Sequence, residues 1–235
     1  MIAASLGSKT THSHLPIGAF SFVEQYPFSH LDTLHVREFR INPGQWGNGF
    51  MDKFGLVAPT CLVQASARFL FWPILVSQFV MSKFGFYQWY SEVHRGVNGG
   101  RVLLGALPWP ESTRQTLLGS EHVSAVVNLV SEHQVRFPVE KRMDVPLADF
   151  VHPGEREVEP AVEFIEKCVQ EGRTVYVHCR AGKGRSATVV ACWLIAHRGH
   201  SPESAQTYLS RTRPQVLSTI GARKVVRDFY LRKCS

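Results

Sequence analysis

A chain of 235 residues with 44% apolar content and 15 phenylalanines can bury the core of one domain of ordinary size plus an appendage, and one catalytic domain is expected. Its five cysteines form no CxxC pair and no Cys/His metal spacing, which excludes a dense disulfide framework and a structural zinc, so neither metal nor cofactor is expected. The net charge of +7 is uneven: residues 172–235 hold 12 Lys or Arg against Glu203 and Asp228, leaving the remainder net acidic, so an acidic partner is expected.

Residues 1–57 are rich in Gly, Ser, Thr, His and Pro without a sustained period, and "INPGQWGNGF" is turn-like throughout. A poorly ordered extension is expected there. It carries no acid before Glu24, as a transit peptide would, but it also lacks a run of arginines. Residues 58–85 form an apolar segment with basic flanks. Between Arg68 and Lys83 lie 14 residues interrupted by Pro73, Ser77 and Gln78, whereas a spanning helix needs roughly 20 apolar residues. Two readings stand side by side. One is a helix lying in a membrane interface, with Phe69, Trp72 and Phe79 inserted; the other is a helix packed on the catalytic domain.

From Tyr87 onward strand and helix signals alternate. "RVLLGALP" reads as a strand, "ESTRQTLLG" as a short helix, "VSAVVNLV" as a buried strand and "RMDVPLAD" as a further strand entering a Pro/Gly loop. "REVEPAVEFIEKCVQEG" is an amphipathic helix closed by Gly172, which holds Cys168 in its core face. "TVYVHC" is β-branched and apolar, the mark of a central strand. "SATVVACWLIAH" is apolar nearly all round, so it is expected to be an interior helix burying Cys192. Ser201-Pro202-Glu203 opens another helix, and a last basic helix is expected from about Val216 to Lys233. The pattern is an α/β domain, 86–235, with a central sheet flanked by helices.

The chemistry lies in "VHCRAGKGRS". A strand ends at His178, seven residues turn, and a helix starts near Arg185. Backbone N–H groups of such a turn join the unpaired donors of the helix N-terminus as an anion cradle formed by Arg180, Ala181, Gly182, Lys183 and Gly184. A nucleotide P-loop is excluded, because Val177 stands where its first glycine belongs and Gly184 follows the lysine. In this field Cys179 is expected as a thiolate nucleophile. Arg185 can grip two phosphoryl oxygens, and Ser186 can hydrogen-bond the sulfur as the cysteinyl phosphate breaks down. The leaving oxygen needs a general acid. Asp149, which opens a loop, is favoured over Asp144, which should lie in a strand.

These residues resemble the signature HCxxGxxR[ST] of the cysteine-dependent protein tyrosine and dual-specificity phosphatases. "WYSEVHRGVNGGRVLLGALPWPESTRQTLL", "VVNLVSEHQVRF" and "RTRPQV" further resemble the mitochondrial phosphatidylglycerophosphate phosphatase branch over about residues 66–235. The resemblance implies the dual-specificity phosphatase fold and the same roles for Cys179, Arg185 and Asp149. It also implies an anionic phospholipid substrate, cardiolipin synthesis, and a place at the matrix face of the mitochondrial inner membrane. One departure stands out: where the branch carries Glu-Glu-Tyr-Glu, this chain has Ser131-Glu132-His133-Gln134. Arg180 and Lys183 carry more charge than one phosphotyrosine needs, and a headgroup with a phosphomonoester and a phosphodiester would use both. The alternatives are a cytoplasmic protein phosphatase acting on phosphoproteins and a phosphate-binding scaffold without activity. No nucleic-acid partner is expected.

Overall fold

The computed structural model describes residues 60–133, 136–149 and 151–234; the side chains of 60–68, 70 and 234 are not among those described. The expected extension, 1–57, therefore lies outside the described residues. Eleven elements follow in chain order. They are α1 (Thr60–Lys83), β1 (Tyr90–Arg95), β2 (Arg101–Gly105), α2 (Glu111–Gly119), β3 (Val123–Asn128), β4 (Lys141–Asp144), α3 (Glu155–Gln170), β5 (Thr174–His178), α4 (Arg185–Arg198), α5 (Pro202–Thr212) and α6 (Lys224–Cys234).

The strands form one sheet in the order β1-β2-β5-β3-β4, with β1 antiparallel to β2 and the other pairs parallel. β5 is central, as its apolar, β-branched composition requires of a strand covered on both faces. Alternation along the strands sorts their side chains. Leu103, Val126 and Tyr176 face α2 together with Leu117 and Phe137. Val102, Leu104, Ala125, Val127, Val175 and Val177 face the larger core, which α3 and α4 complete with Val162, Ile165, Val190 and Trp193.

The helix α3 shows why an amphipathic pattern works here. Val158, Ala161, Val162, Ile165, Cys168 and Val169 recur at helical spacing and are all buried, and Gly172 leaves the helix at a φ of +76°. By contrast α4 is buried from Arg185 to Ile195 because sheet and helices surround it. Cys168 and Cys192 are core residues, as expected. Burial pushes the Cys192 thiol up to about 12, so it is inert at neutral pH.

Two elements differ from the sequence expectation. The antiparallel edge strand β1 was not anticipated, because "YSEVHR" is neither apolar nor alternating; β2 holds it in place. The last helix starts at Lys224, not Val216, because the segment from 213 to 223 makes turns that brace the 179–185 loop. Leu217 N–H, for example, donates to Lys183 O at 3.1 Å.

α1 continues through Pro73 and packs on the domain with one face. Phe71 and Leu75 are fully buried, and Phe79 meets Trp89 and Trp109 edge-on at 6.1 and 5.6 Å. The opposite face carries exposed Val76, Val80 and Met81, with Phe69 81% exposed. Among the described residues no helix is long and apolar enough to cross a membrane.

Candidate active site

Strand β5 delivers Cys179 to the carboxyl end of the sheet, and the chain turns from there into the N-terminus of α4. Gly182 makes that turn possible at a φ of +67°. A Cβ built there would lie 2.5 Å from the Gly105 backbone and 2.7 Å from Arg213 Nη2. Gly182→Ala should therefore destabilise the fold by about 1–3 kcal/mol in denaturant unfolding and weaken phosphate binding at once, since the strain falls on the cradle itself.

Cys179 is 3% exposed, and its Sγ accepts hydrogen bonds from Gly182 N–H and Ser186 Oγ, both at 3.3 Å. Burial alone would push this thiol up. The charge of Arg185 and the hydrogen bonds from Ser186 and Gly182 outweigh burial and bring it below its ordinary value. His178, just before it, is held at about 3 by burial and so is neutral, adding no competing charge.

Arg185 is buried and fixed from four sides. Its Nη1 donates to Leu129 O at 3.2 Å, to Leu147 O at 2.6 Å and to the Glu132 carboxylate at 3.3 Å, while Nη2 reaches Asp149 Oδ1 at 2.8 Å. Arg180 Nη2 lies 2.5 Å from the other oxygen of Asp149. Asp149 thus sits between two guanidinium groups at the mouth of the cradle. Arg180 is also 5.9 Å from the Phe71 ring of α1, and is only 6% exposed. Lys183 lies over the Tyr87 ring at 5.2 Å, half-buried.

The structure brings Cys179, Arg185, Ser186, Asp149 and the loop 180–184 together. It keeps Asp144 apart: that carboxylate ends β4, paired with Arg142 Nε at 2.7 Å and accepting from Asn128 Nδ2 at 2.7 Å. Its role at the end of the strand is that ion pair. Arg180 faces Asp149 and α1 in this arrangement.

Sequence reasoning missed several residues of the site. Glu132, 3% exposed at its side chain, pairs with Arg185 and accepts from the Asp149 backbone N–H, tying the acid loop to the phosphate loop. Its signal was present, as the one acid kept where the resembling branch has three. His133 beside it packs against Phe71 of α1 with the rings tilted at 54° and their centroids 4.4 Å apart. Tyr87, Arg213 and Arg223 also reach the loop; Arg213 lies in the "RTRPQV" of the resemblance, without a sign of its role, and nothing local in the sequence marks the other two. Among the described residues no cluster of His, Cys, Asp or Glu could hold a metal.

A low-lying buried thiol at the base of a strand-loop-helix cradle, with an arginine six residues on, defines a cysteine-loop phosphatase domain. The chain belongs to the family described as dual specificity phosphatase, catalytic domain, whose model matches residues 108–231. It is 33% identical over 184 residues to phosphatidylglycerophosphate phosphatase PTPMT1 of Arabidopsis thaliana, an alignment covering 74% of this chain and 52% of that protein. The chain thus spans about half the length of that relative. It is also 33% identical to the Homo sapiens protein named phosphatidylglycerophosphatase and protein-tyrosine phosphatase 1, over 74% of this chain and 91% of the relative. Among solved structures, the crystal structure of PTPMT1 is similar with a TM-score of 0.51 at 29% identity, covering 62% of this chain and 96% of that one.

Proposed function

We propose that the protein hydrolyses the phosphomonoester of an anionic phospholipid, phosphatidylglycerophosphate, through a cysteinyl-phosphate intermediate. The observation that carries the hydrolysis is the Cys179 thiol, lowered by Arg185 and by donors at 3.3 Å, at the centre of an inward-facing cradle. The names of the relatives support the lipid; the role in cardiolipin synthesis and the place at the matrix face of the mitochondrial inner membrane are what the resemblance of the sequence implies.

In the first step the thiolate attacks phosphorus, the phosphorus-oxygen bond to the glycerol breaks, and Asp149 gives its proton to the leaving oxygen. The substrate dianion takes over Arg185 from Asp149, which frees the carboxyl to face the leaving oxygen. In the second step Asp149 takes a proton from water as that water attacks phosphorus. The phosphorus-sulfur bond breaks, and Ser186 Oγ, already 3.3 Å from the sulfur, stabilises the departing thiolate. The N–H groups of residues 181–185, with the Arg185 guanidinium, hold the equatorial oxygens throughout.

The outward face of α1 supports a lipid surface as the place of work. Phe69, Val76, Val80 and Met81 are exposed on it, as are Phe84 and Phe86 just past its end, while the inward face of the helix touches Arg180 and His133 at the site. A helix that lays this face in the headgroup region would bring the cradle to the bilayer. Exchange of Phe69, Val76 and Val80 together for aspartate should lower activity on phosphatidylglycerophosphate vesicles about tenfold or more and leave an aryl phosphate in solution unchanged. Phosphate release from phosphatidylglycerophosphate, a phosphoinositide and a phosphotyrosine peptide at equal concentration tests the substrate. Preference for the peptide, or equal losses on both substrate types in the triple variant, would put the protein phosphatase reading ahead.

A further inference from the structure

Every carbonyl of the loop from Arg180 to Gly184 is engaged from outside it. Arg180 O accepts from Leu107 N–H at 3.1 Å, and Lys183 O from Leu217 N–H at 3.1 Å. Ala181 O accepts from Tyr87 Oη and from Arg213 Nη2 at 3.2 Å. Gly182 O accepts from Arg213 Nε at 2.9 Å, and Gly184 O from Arg223 Nη1 at 3.3 Å. In a trans peptide the C=O of one residue and the N–H of the next point in opposite directions. Five carbonyls turned outward therefore aim the N–H groups of Ala181 to Arg185 inward, and the Gly182 N–H bond to Cys179 Sγ is the visible result.

Two side chains make three of these bonds. Arg213 has no exposed surface and Arg223 is 9% exposed, yet neither pairs with a carboxylate among the described residues. Arg213 also donates to Trp89 O at 3.4 Å and lies over the Tyr87 ring at 5.7 Å, and Arg223 donates to Thr188 Oγ1 at 2.5 Å, so the partners of both are neutral. A buried charge without a counter-charge is costly, and packing alone would be served better by an apolar side chain. Burial disfavours the charged form of both arginines; Tyr87, Tyr176 and then Cys179 favour it in Arg213, and Cys179 favours it in Arg223, so the thiolate is the one negative charge of the loop that both share. By reciprocity each arginine favours the thiolate.

We infer that Arg213 and Arg223 are positioning residues that turn the phosphate loop's carbonyls outward and supply two uncompensated charges to Cys179 and to the phosphate it receives. The inference rests on the reading of Cys179 as nucleophile, but it concerns the thiol and the loop, not the lipid. Its test is the pH dependence of Cys179 alkylation by iodoacetamide in the full chain, read from the mass of the Cys179 peptide, with inorganic phosphate as protecting anion. Arg213→Met and Arg223→Met should each raise the alkylation midpoint by about one pH unit and weaken phosphate protection about tenfold, with the acid limb of kcat/KM moving by the same amount. Arg213→Lys and Arg223→Lys keep the charge and should return the midpoint to near wild type. Arg213→Lys should still bind phosphate less well, because one ammonium cannot meet Gly182 O, Ala181 O and Trp89 O in the guanidinium's geometry.

Midpoints unchanged in the methionine variants would overturn the inference, and so would lysine variants shifted as far as methionine ones. If Arg213→Met does not fold, Arg223→Met and the two lysine variants decide by the same criteria. If the wild type hydrolyses no lipid while the thiol titrates and shifts as described, the substrate reading falls and this one stands.

Discussion

Replacing Cys179 by serine lowers turnover by at least about 10⁴-fold while the affinity for inorganic phosphate stays within about tenfold of wild type. The argument lies in which parts of the site the change touches. Serine keeps a small polar atom where Gly182 N–H and Ser186 Oγ now converge at 3.3 Å. The inward N–H groups and Arg185 remain, so the anion still finds its cradle. What is lost is a sulfur whose charged form the site favours below the ordinary thiol range; a hydroxyl in the same field remains protonated and is a poor nucleophile. Pre-steady-state release of the alcohol product, measured beside phosphate binding, separates the two effects. Turnover near wild type in the serine variant would exclude the covalent route.

The same separation between local and distant groups explains what the sequence could convey. The loop around Cys179 was legible because its chemistry is contiguous: a β-branched strand, a glycine needed at positive φ, and an arginine at the head of a helix lie within a few residues of one another. α2, α3 and β5 were legible for the same reason, each carrying its own period and ending signal. Choosing Asp149 over Asp144 needed only loop against strand, and the structure gives Asp144 its own partners in Arg142 and Asn128.

The parts played by Glu132, Tyr87, Arg213 and Arg223 were not legible, because each acts on the loop from 31 to 94 residues away in the chain, across contacts that exist only in the fold. The late start of α6 has the same origin. Helical propensity continues before Lys224, but Leu217 N–H is committed to Lys183 O, and tertiary need overrides local preference. For α1 the sequence left two readings open, a packed helix and an interfacial one. Phe71, Leu75 and Phe79 form the packed face, and the exposed face is open to the proposed membrane contact.

Asp149→Ala should slow hydrolysis of a glycerol phosphate ester by about 10²- to 10⁴-fold and of an activated aryl phosphate by only a few-fold, because only the alkoxide needs a proton to leave. The geometry adds a second signature. Asp149 Oδ1 lies 2.8 Å from Arg185 Nη2 and its partner oxygen 2.5 Å from Arg180 Nη2, so removing the carboxylate frees two cations that the substrate must otherwise win from it. Inorganic phosphate should therefore bind the alanine variant more tightly than wild type, and KM for the aryl ester should fall while kcat for the alkyl ester collapses. A residue that merely held the loop together would lower affinity and rate for both esters alike. Asp144→Ala serves as the control: it breaks an ion pair with Arg142 at the end of β4, and should slow both esters equally and slightly. Leaving-group dependence in the Asp144 variant, with none in the Asp149 variant, would move the acid to β4 and leave Asp149 as no more than the counter-ion of an empty cradle.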